Sequence, residues 1–251
     1  MIKLLFIFLL KPSLLSNFVH MTDTSIYCII VAAGKGSRFG SELPKQFCEL
    51  NGKPVLMHTI ESFRIASPDV KIVLVLNRDH HELWKHLCEN HHFSSPETVF
   101  GGSTRWESVK NAIDTIKLSD QGKSIIMVHD GARPVVSPTL IHRVIEAAHV
   151  STGVIPVIPV SDSLRELSDE GKSVAVDRSR YRAVQTPQAF DGRLLTEAYK
   201  LPYRDTFTDD ASVIAAAGYP EISLVDGDPR NIKITLPDDL KIASFFLESV
   251  Q

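Results

Sequence analysis

Short apolar runs alternate with stretches of helical periodicity along the first 150 residues, and this alternation constrains the fold more than any other feature. Apolar runs that predict buried strands lie at 25–32, 70–77, 97–101 and 123–130. Helical patterns lie between and after them, at 53–66, 79–90, 104–117 and 137–150. Repeated strand–helix units predict parallel strands joined by right-handed crossovers. We therefore expect one α/β domain with a Rossmann-like, mostly parallel sheet and helices on both faces.

Two of the helices carry start signals. Thr104 and Glu107 have the spacing of a capping box, and Ser137 followed by Pro138 is typical of a helix N-terminus.

The alternation of strand and helix patterns changes after residue 150. Residues 153–190 show little helical periodicity, and the Asp-Glu-Gly at 169–171 predicts a hairpin tip, so we expect an extended β-arm at about 161–182. The remaining predicted elements are helices at 191–200 and 208–218, strands at 221–225 and 231–235, and a closing helix from Pro237.

Residues 1–24 stand apart from this domain. The apolar run from Leu4 to Leu10 is far too short to span a bilayer, and no clear cleavage site follows it. Met21 precedes a sequence typical of a soluble start, so we expect 1–24 to be a dispensable N-terminal extension and 25–251 to be the domain.

A net charge of −3 gives no electrostatic case for nucleic acid, and three scattered cysteines suit a reducing cytoplasm. We expect neither a nucleic-acid nor a membrane partner.

A glycine-containing loop, VAAGKGSRFGSELPKQF at 31–47, follows the first strand. It is not a Walker A loop, and it lacks the third glycine of a dinucleotide fingerprint, because Phe39 stands there. Small residues would let a ligand approach the backbone N–H groups, and basic residues would add positive charge. The small residues are Ala32, Ala33, Gly34 and Gly36, and the basic ones are Arg38 and Lys45. The loop therefore favours a phosphate ligand over a simple turn only if other stretches support it.

Three further stretches do so. GGSTRWESV at 101–109 leads into a capped helix start, where backbone N–H groups converge. VHDGARP ends a strand with Asp130, which suits a magnesium carboxylate, although it could equally cap a turn. DPRNIKIT at 228–235 carries Lys233 inside an apolar strand pattern, where the ammonium group should meet an anion or else reach solvent from an edge strand.

Together these stretches resemble the 2-C-methyl-D-erythritol 4-phosphate cytidylyltransferase family of the non-mevalonate isoprenoid pathway. The resemblance runs from about residue 25 to 246 and rests on five motifs that occur in the family's order. They are AAGKGSRFGSELPKQF, HDGARP, VDRSRYRAVQTPQAF, TDDAS and NIKIT. The resemblance implies a nucleotidyltransferase-type fold, transfer of CMP from CTP to methylerythritol phosphate, Mg²⁺ or another divalent cation, a cytoplasmic location, and a homodimer formed through the β-arm.

The resemblance also implies roles for individual residues. Arg38 and Lys45 would be catalytic, and Asp130 would hold the metal ion. Substrate positioning would fall to Arg178, Lys233, Thr186 and Ser163. Nucleotide binding would involve Ala32, Ala33, Gly34, Gly36, Gly102, Arg105, Ser108 and Gly131. Ser103 stands where the family has an acidic residue, which is a departure from its pattern.

Other functions remain as alternatives at this point. A ribitol 5-phosphate cytidylyltransferase would share the loop and the mechanism. A nucleotide-dependent oxidoreductase is disfavoured by the incomplete glycine fingerprint, and a non-catalytic sugar-nucleotide sensor is disfavoured because the charged residues of the transfer machinery are all present. Five histidines between 80 and 92, near Cys88, have no familiar zinc-ligand spacing, and we expect them to lie on a surface helix and loop.

Overall fold

The computed structural model describes residues 24–34, 39–40, 43–119 and 122–249. The predicted extension lies outside the described residues except for Thr24, and so do Gly36 and Arg38 of the glycine loop. Within the described ranges, no helix is long and apolar enough to cross a membrane.

The elements follow the predicted alternation closely. The strands are β1 Ser25–Ala32, β2 Glu49–Leu50, β3 Lys53–Pro54, β4 Lys71–Leu76, β5 Glu97–Phe100, β6 Ser124–Asp130, β7 Gly153–Pro159, β8 Arg165–Leu167, β9 Ser173–Ala175, β10 Arg182–Val184, β11 Gln188–Asp191 and β12 Ser223–Asp226. The helices are α1 Val55–Ala66, α2 His81–Asn90, α3 Arg105–Ile113, α4 Pro138–Val150, α5 Gly192–Ala198, α6 Asp210–Ala216 and α7 Asp239–Glu248.

An eight-stranded sheet forms the centre of the domain, in the order β10-β7-β11-β6-β1-β4-β5 with β12 also paired to β7. β1 pairs in parallel with β4 and β6, and β4 pairs in parallel with β5. β11 is antiparallel to both β6 and β7, so the sheet is mostly but not entirely parallel. The register places Val31 opposite Asp130, which brings the end of β6 beside the start of the glycine loop.

Helices cover both faces of the sheet, as predicted. Alternate residues of β1 point to opposite sides, so that Cys28 and Ile30 belong to one core and Tyr27 and Ile29 to the other. α1, α2 and α4 pack on the first face, and α3, α5 and α6 on the second. A smaller third core, which includes Ala243 of α7, lies beside the carboxyl edge of the sheet.

The strand predicted at 231–235 is wrong. Residues 231–235 have no regular secondary structure, although the N–H of Ile234 donates to the carbonyl of Ala132 at 2.8 Å. Ile234 is fully buried in the third core, whereas Lys233 is exposed. The alternation of apolar and polar residues therefore reflects packing against that core and not pairing with a neighbouring strand.

The arm region combines predicted and unexpected features. β8 and β9 pair antiparallel in a separate two-stranded sheet, with the turn at the predicted Asp-Glu-Gly. Arg182, the last residue of the predicted arm, already belongs to β10 and pairs with Pro159 of the main sheet.

The start of α3 differs from the predicted capping box. Thr104 accepts the N–H of Glu107, while the Glu107 carboxylate accepts two hydrogen bonds from Ser103.

Candidate functional site

A cavity of about 460 Å³ opens at the carboxyl end of β1, β4 and β6, where open α/β sheets place their ligands. It brings together the glycine loop, the start of α3, the end of β6 and the segment that carries Lys233. The lining residues are Val31, Ala32, Ala33, Gly34, Phe39, Lys45, Gln46, Asn77, Gly102, Ser103, Thr104, Arg105, Ser108, Asp130, Ala132, Lys233 and Thr235.

Gln46 fixes the first part of the glycine loop. This side chain is buried, and its Nε2 donates to the carbonyl of Ala32 at 2.8 Å and to that of Gly34 at 3.2 Å. Both carbonyls are thereby held by one amide. Gln46 lies within the glycine-loop motif but is not among the predicted site residues, because a glutamine there carries no distinctive chemical pattern.

Ser108 organises the second glycine-containing loop. The hydroxyl of this buried residue donates to the carbonyl of Thr104 at 2.9 Å and accepts the N–H of Gly102 at 3.1 Å. A Cβ on Gly101 would lie 2.4 Å from the Cβ of Ala33, so only glycine lets the two loops approach this closely. The predicted residues Ala33, Gly102 and Ser108 therefore share one wall of the cavity.

Asp130 is the only acidic side chain among the described residues that line the cavity, and three cationic side chains surround it. Its Oδ2 lies 2.9 Å from Nζ of Lys233 and 3.4 Å from Nε of Arg133, and its Oδ1 lies 3.6 Å from Nε of Arg105. Burial alone would raise the pKa of Asp130, but Arg105, Lys233 and Arg133 outweigh it and hold that pKa well below its usual range. The carboxylate is therefore ionised and locally outnumbered by positive charge.

Arg105 is also bound to a second carboxylate, that of Asp210. The guanidinium donates from Nη1 to Oδ1 at 3.1 Å and from Nη2 to Oδ2 at 2.7 Å, while its side chain stays 30% exposed toward the cavity. Asp210 is fully buried at the start of α6. Asp210 lies within the TDDAS motif but is not among the predicted site residues. The sequence signal that could single out Asp210 is an aspartate at the start of a helix whose other face is apolar.

Lys45 and Lys233 reach the cavity from two separate segments that contact each other. Nζ of Lys45 donates to the carbonyl of Ile234 at 2.5 Å, and Lys233 pairs with Asp130. The predicted catalytic lysine is thus hydrogen-bonded to the segment that carries the predicted substrate-positioning lysine. Arg38, predicted to act with Lys45, lies outside the described residues.

Thr186 lies behind Asp130 and not on the cavity wall. Its buried hydroxyl accepts the N–H of Asp130 at 3.1 Å and lies 3.0 Å from Nδ1 of His129. Nε2 of His129 lies 3.3 Å from the carbonyl of Arg133. A carbonyl can only accept, so Nε2 carries the proton and Nδ1 accepts from Thr186. This network fixes the backbone that presents Asp130, and a direct contact of Thr186 with substrate stays a prediction.

Three other predicted site residues do not line this cavity. Ser163 and Arg178 are exposed in the arm region, where Nη1 of Arg178 donates to the carbonyl of Ser161. A Cβ on Gly131 would lie 3.0 Å from the Cβ of Ala32 and 3.1 Å from Cδ1 of Leu56. Gly131 therefore allows close packing beneath the glycine loop, and the binding role expected for it stays a prediction.

None of the five histidines between 80 and 92 lines this cavity. The ring of His80 packs edge-on against Phe47, and that of His81 packs against Phe100. Cys88 is buried on α2. Across the part of the chain that the structure describes, no three or more His, Cys, Asp or Glu side chains are grouped so that they could hold a metal ion.

The geometry agrees with what comparisons with known proteins find. The sequence model of the family described as "IspD: 2-C-methyl-D-erythritol 4-phosphate cytidylyltransferase" matches residues 26–249. The 2-C-methyl-D-erythritol 4-phosphate cytidylyltransferase of Bacteroides thetaiotaomicron is 50% identical over 220 residues, which cover 87% of this chain and 98% of the relative. The protein of that name from Bacteroides fragilis is 47% identical, with the same coverage of 87% and 98%.

Solved structures give the same result. The chain matches the 4-diphosphocytidyl-2C-methyl-D-erythritol synthase of Anaerococcus prevotii with a TM-score of 0.74 and 26% identity, covering 90% of this chain and 99% of that one. It matches the 2-C-methyl-D-erythritol 4-phosphate cytidylyltransferase of Thermus thermophilus with a TM-score of 0.69 and 32% identity, covering 89% and 99%. Because the family model matches residues 26–249 and the relatives are covered nearly end to end, the chain belongs to the 2-C-methyl-D-erythritol 4-phosphate cytidylyltransferase family.

Proposed function

We propose that this protein transfers CMP from CTP to 2-C-methyl-D-erythritol 4-phosphate in the synthesis of isoprenoid precursors. The products are 4-diphosphocytidyl-2-C-methyl-D-erythritol and pyrophosphate. The observation that carries the proposal is the cavity itself, whose described lining combines the cations Lys45, Arg105 and Lys233 with the carboxylate of Asp130 beside a wall of small residues. Such a site suits a ligand with several phosphates, and membership of the family supports CTP as that ligand.

The chemistry requires charge stabilisation more than proton transfer. An oxygen of the substrate phosphate forms a bond to the α-phosphorus of CTP, and the bond from that phosphorus to the bridging oxygen of pyrophosphate breaks. The attacking phosphate is already an anion, so no strong general base is needed. Bringing two anions together is the difficulty, and preorganised cations lower that barrier. Lys45, with Arg38 as its predicted companion, would stabilise the charge that shifts to the leaving group.

A divalent cation such as Mg²⁺ is part of the proposal, with Asp130 as its protein ligand. Mg²⁺ in phosphate-transfer sites is commonly held by one or two carboxylates together with phosphate oxygens. Among the described residues, one ionised carboxylate lies on the cavity wall, which fits that pattern, and the remaining ligands would be phosphate oxygens and water. When bound, the cation would neutralise phosphate charge.

The polyol phosphate and the second subunit belong together in the proposal. Lys233, Thr186, Ser163 and Arg178 would position methylerythritol phosphate, with the last two supplied by the arm of a partner subunit in a cytoplasmic homodimer. Leu167 and Val174 of the β8–β9 hairpin are 73% and 59% exposed within the single chain. Apolar side chains that are this exposed on a small hairpin favour burial against another surface.

The proposed function can be tested directly by pyrophosphate release. Purified protein would be incubated with each of the four nucleoside triphosphates and with methylerythritol phosphate or ribitol 5-phosphate, with and without Mg²⁺. We expect CTP, methylerythritol phosphate and the metal ion to be required together. Preference for ribitol 5-phosphate would support the alternative substrate, and CTP binding without pyrophosphate release under any condition would support the non-catalytic sensor.

A further inference from the structure

We propose that Asp210 is a positioning residue for the nucleotide, acting through Arg105. It holds the guanidinium of Arg105 at the cavity wall and keeps it from pairing fully with Asp130. The inference rests on the proposed function, because it assumes that CTP occupies this cavity. It adds a residue to which the sequence analysis assigned no role.

Arg105 and Asp210 form a bidentate ion pair, in which a planar guanidinium binds a planar carboxylate. Both terminal nitrogens of Arg105 bind the two oxygens of Asp210, at 3.1 and 2.7 Å. Only Nε remains directed at Asp130, at the longer distance of 3.6 Å. Two parallel hydrogen bonds fix the plane of a guanidinium as well as its position. The orientation of Arg105 in the cavity is therefore set by Asp210 and not by Asp130.

Asp210 can set this orientation because it is itself held firmly. The hydroxyl of Tyr199 donates to its Oδ1 at 2.6 Å, and the ring of Tyr199 stacks on Trp106, next to Arg105 in the chain, with centroids 5.7 Å apart. Burial, followed by the charge of Asp210, raises the pKa of Tyr199 well above its usual range, so the hydroxyl keeps the proton that it donates. Asp210 is fully buried, which leaves it no freedom to follow a displaced arginine.

Gln188 ties the start of α6 to the central sheet. Its Nε2 donates to Oδ2 of Asp209 at 2.9 Å, and its Oε1 accepts the N–H of Ala211 at 3.1 Å. Gln188 pairs with Val128 in β6, two residues before Asp130. The two carboxylates on either side of Arg105 are thus anchored to neighbouring strands of one rigid sheet.

The charges explain why the second carboxylate matters. Arg105, Arg133 and Lys233 carry three positive charges around Asp130. Without Asp210, the guanidinium would lose the only close anion besides Asp130 among the described residues, and pairing with Asp130 would be its best remaining arrangement there. That movement would withdraw Arg105 from the ligand and cover an oxygen of Asp130. CTP and its metal ion would then both bind less well.

The first test is Asp210→Asn, which keeps the shape of the side chain and removes its charge. We expect KM and the calorimetric Kd for CTP with Mg²⁺ to rise about 10- to 100-fold, the equivalent of one charged hydrogen-bonded pair. The kcat at saturating CTP should change by less than about threefold, because the reacting groups stay in place. Asp114→Asn is the matched control, since Asp114 pairs with Lys110 on the exposed side of α3, and its CTP affinity should equal that of the wild type.

A double-mutant cycle separates positioning from a purely structural role. In the background of Arg105→Gln, Asp210→Asn should weaken CTP binding by less than about threefold, because the arginine that it positions is gone. Should Asp210→Asn fail to fold, Tyr199→Phe removes only the hydrogen bond to Asp210 and should raise KM for CTP about threefold. An unchanged CTP affinity in Asp210→Asn or Tyr199→Phe, or an equal loss in both backgrounds of the cycle, would overturn the inference. Failure of the wild-type protein to bind CTP would instead overturn the proposed function.

Discussion

At the scale of single residues, the main feature of the cavity is that its charged groups form clusters instead of one-to-one ion pairs. Asp130 has three cationic neighbours, and Arg105 has two carboxylates. Ser103 and Glu107 form a similar cluster, since the hydroxyl and the N–H of Ser103 both donate to one oxygen of Glu107 at 2.6 Å. These hydrogen bonds, the side-chain one first, lower the pKa of Glu107. A carboxylate is therefore present next to position 103 even though the family's acidic residue is not.

We expect Lys45→Ala to reduce kcat about 100-fold or more while CTP binding weakens much less. The charge of Lys45 should matter most when negative charge shifts to the leaving group, which is the typical effect of removing one preorganised electrostatic group. Steady-state kinetics with CTP and methylerythritol phosphate would measure the effect, and calorimetry would give the affinity. Lys53→Ala is the control, because Lys53 pairs with Glu61 and does not line the cavity. Near-normal turnover in Lys45→Ala would remove the role assigned to this residue.

At the scale of elements, the sequence predicts what its periodicity encodes and misses what depends on neighbours. The strands and helices up to residue 150 were predictable because each buries one face or both in the same repeating way. The segment at 231–235 looks like a strand in sequence because Ile232 and Ile234 alternate with polar residues. Only the position of Ala132 shows that a core takes the place of a partner strand. Hydrophobic periodicity along the sequence shows which residues are buried, whereas strand pairing depends on the other strands of the sheet.

β6 leads to a prediction about acid stability. Burial lowers the pKa of His129 to about 3, whereas an unfolded histidine titrates near 6.5. Below about pH 6.5 the unfolded chain therefore takes up a proton at this position that the folded chain does not. The free energy of unfolding should fall from this group as the pH decreases from about 6.5 toward 3, by up to about 1.4 kcal/mol per pH unit. Above pH 6.5 the group should have no effect.

Urea unfolding between pH 7 and 4.5 would measure this dependence. His129→Asn should be less stable than the wild type at pH 7, because a buried hydrogen-bonded ring is lost, but its stability should depend less on pH by up to one proton. His86→Asn, on the exposed side of α2, is the control and should keep the wild-type dependence. An identical pH dependence in His129→Asn and the wild type would show that another group controls the acid transition.

At the scale of the whole molecule, the site is assembled from residues that lie far apart in the sequence. The sequence placed Lys45, Asp130 and Lys233 in one site through motif order, and the cavity contains all three. The position of Asp210 at a helix start could single it out, but the sequence could not indicate its partner, because that partner is an arginine 105 positions earlier. It also could not separate Thr186, which supports Asp130 from behind, from the residues on the wall.

The proposed dimer can be tested by complementation between two inactive variants. Lys45→Ala and Arg178→Ala should each be nearly inactive alone. If Arg178 acts on the partner's site, a mixed dimer has one site with both defects and one with neither. With random and equal exchange, half of the dimers are mixed, so activity should recover to roughly a quarter of the wild-type value by symmetry.

The exchange itself needs its own measurement, for example by mass spectrometry of differently tagged subunits. Mixing two samples of the same variant is the control and should restore nothing. No recovery in fully exchanged mixtures would place Arg178 within its own chain's site or outside catalysis altogether. Sedimentation that shows only monomers at assay concentrations would argue against the homodimer itself.

The single carboxylate among three cations also has a consequence for turnover, because the same cations that attract a triphosphate must let pyrophosphate go. Asp130 cancels one of the three positive charges that face it. Asp130→Asn should therefore retain free pyrophosphate more tightly, with an inhibition constant against CTP about tenfold lower when measured by competitive binding without divalent metal. Weaker or unchanged pyrophosphate binding in that variant would contradict this view. Tighter pyrophosphate binding in Asp130→Asn would mean that the acidic residue at the end of β6 serves product release as well as substrate capture.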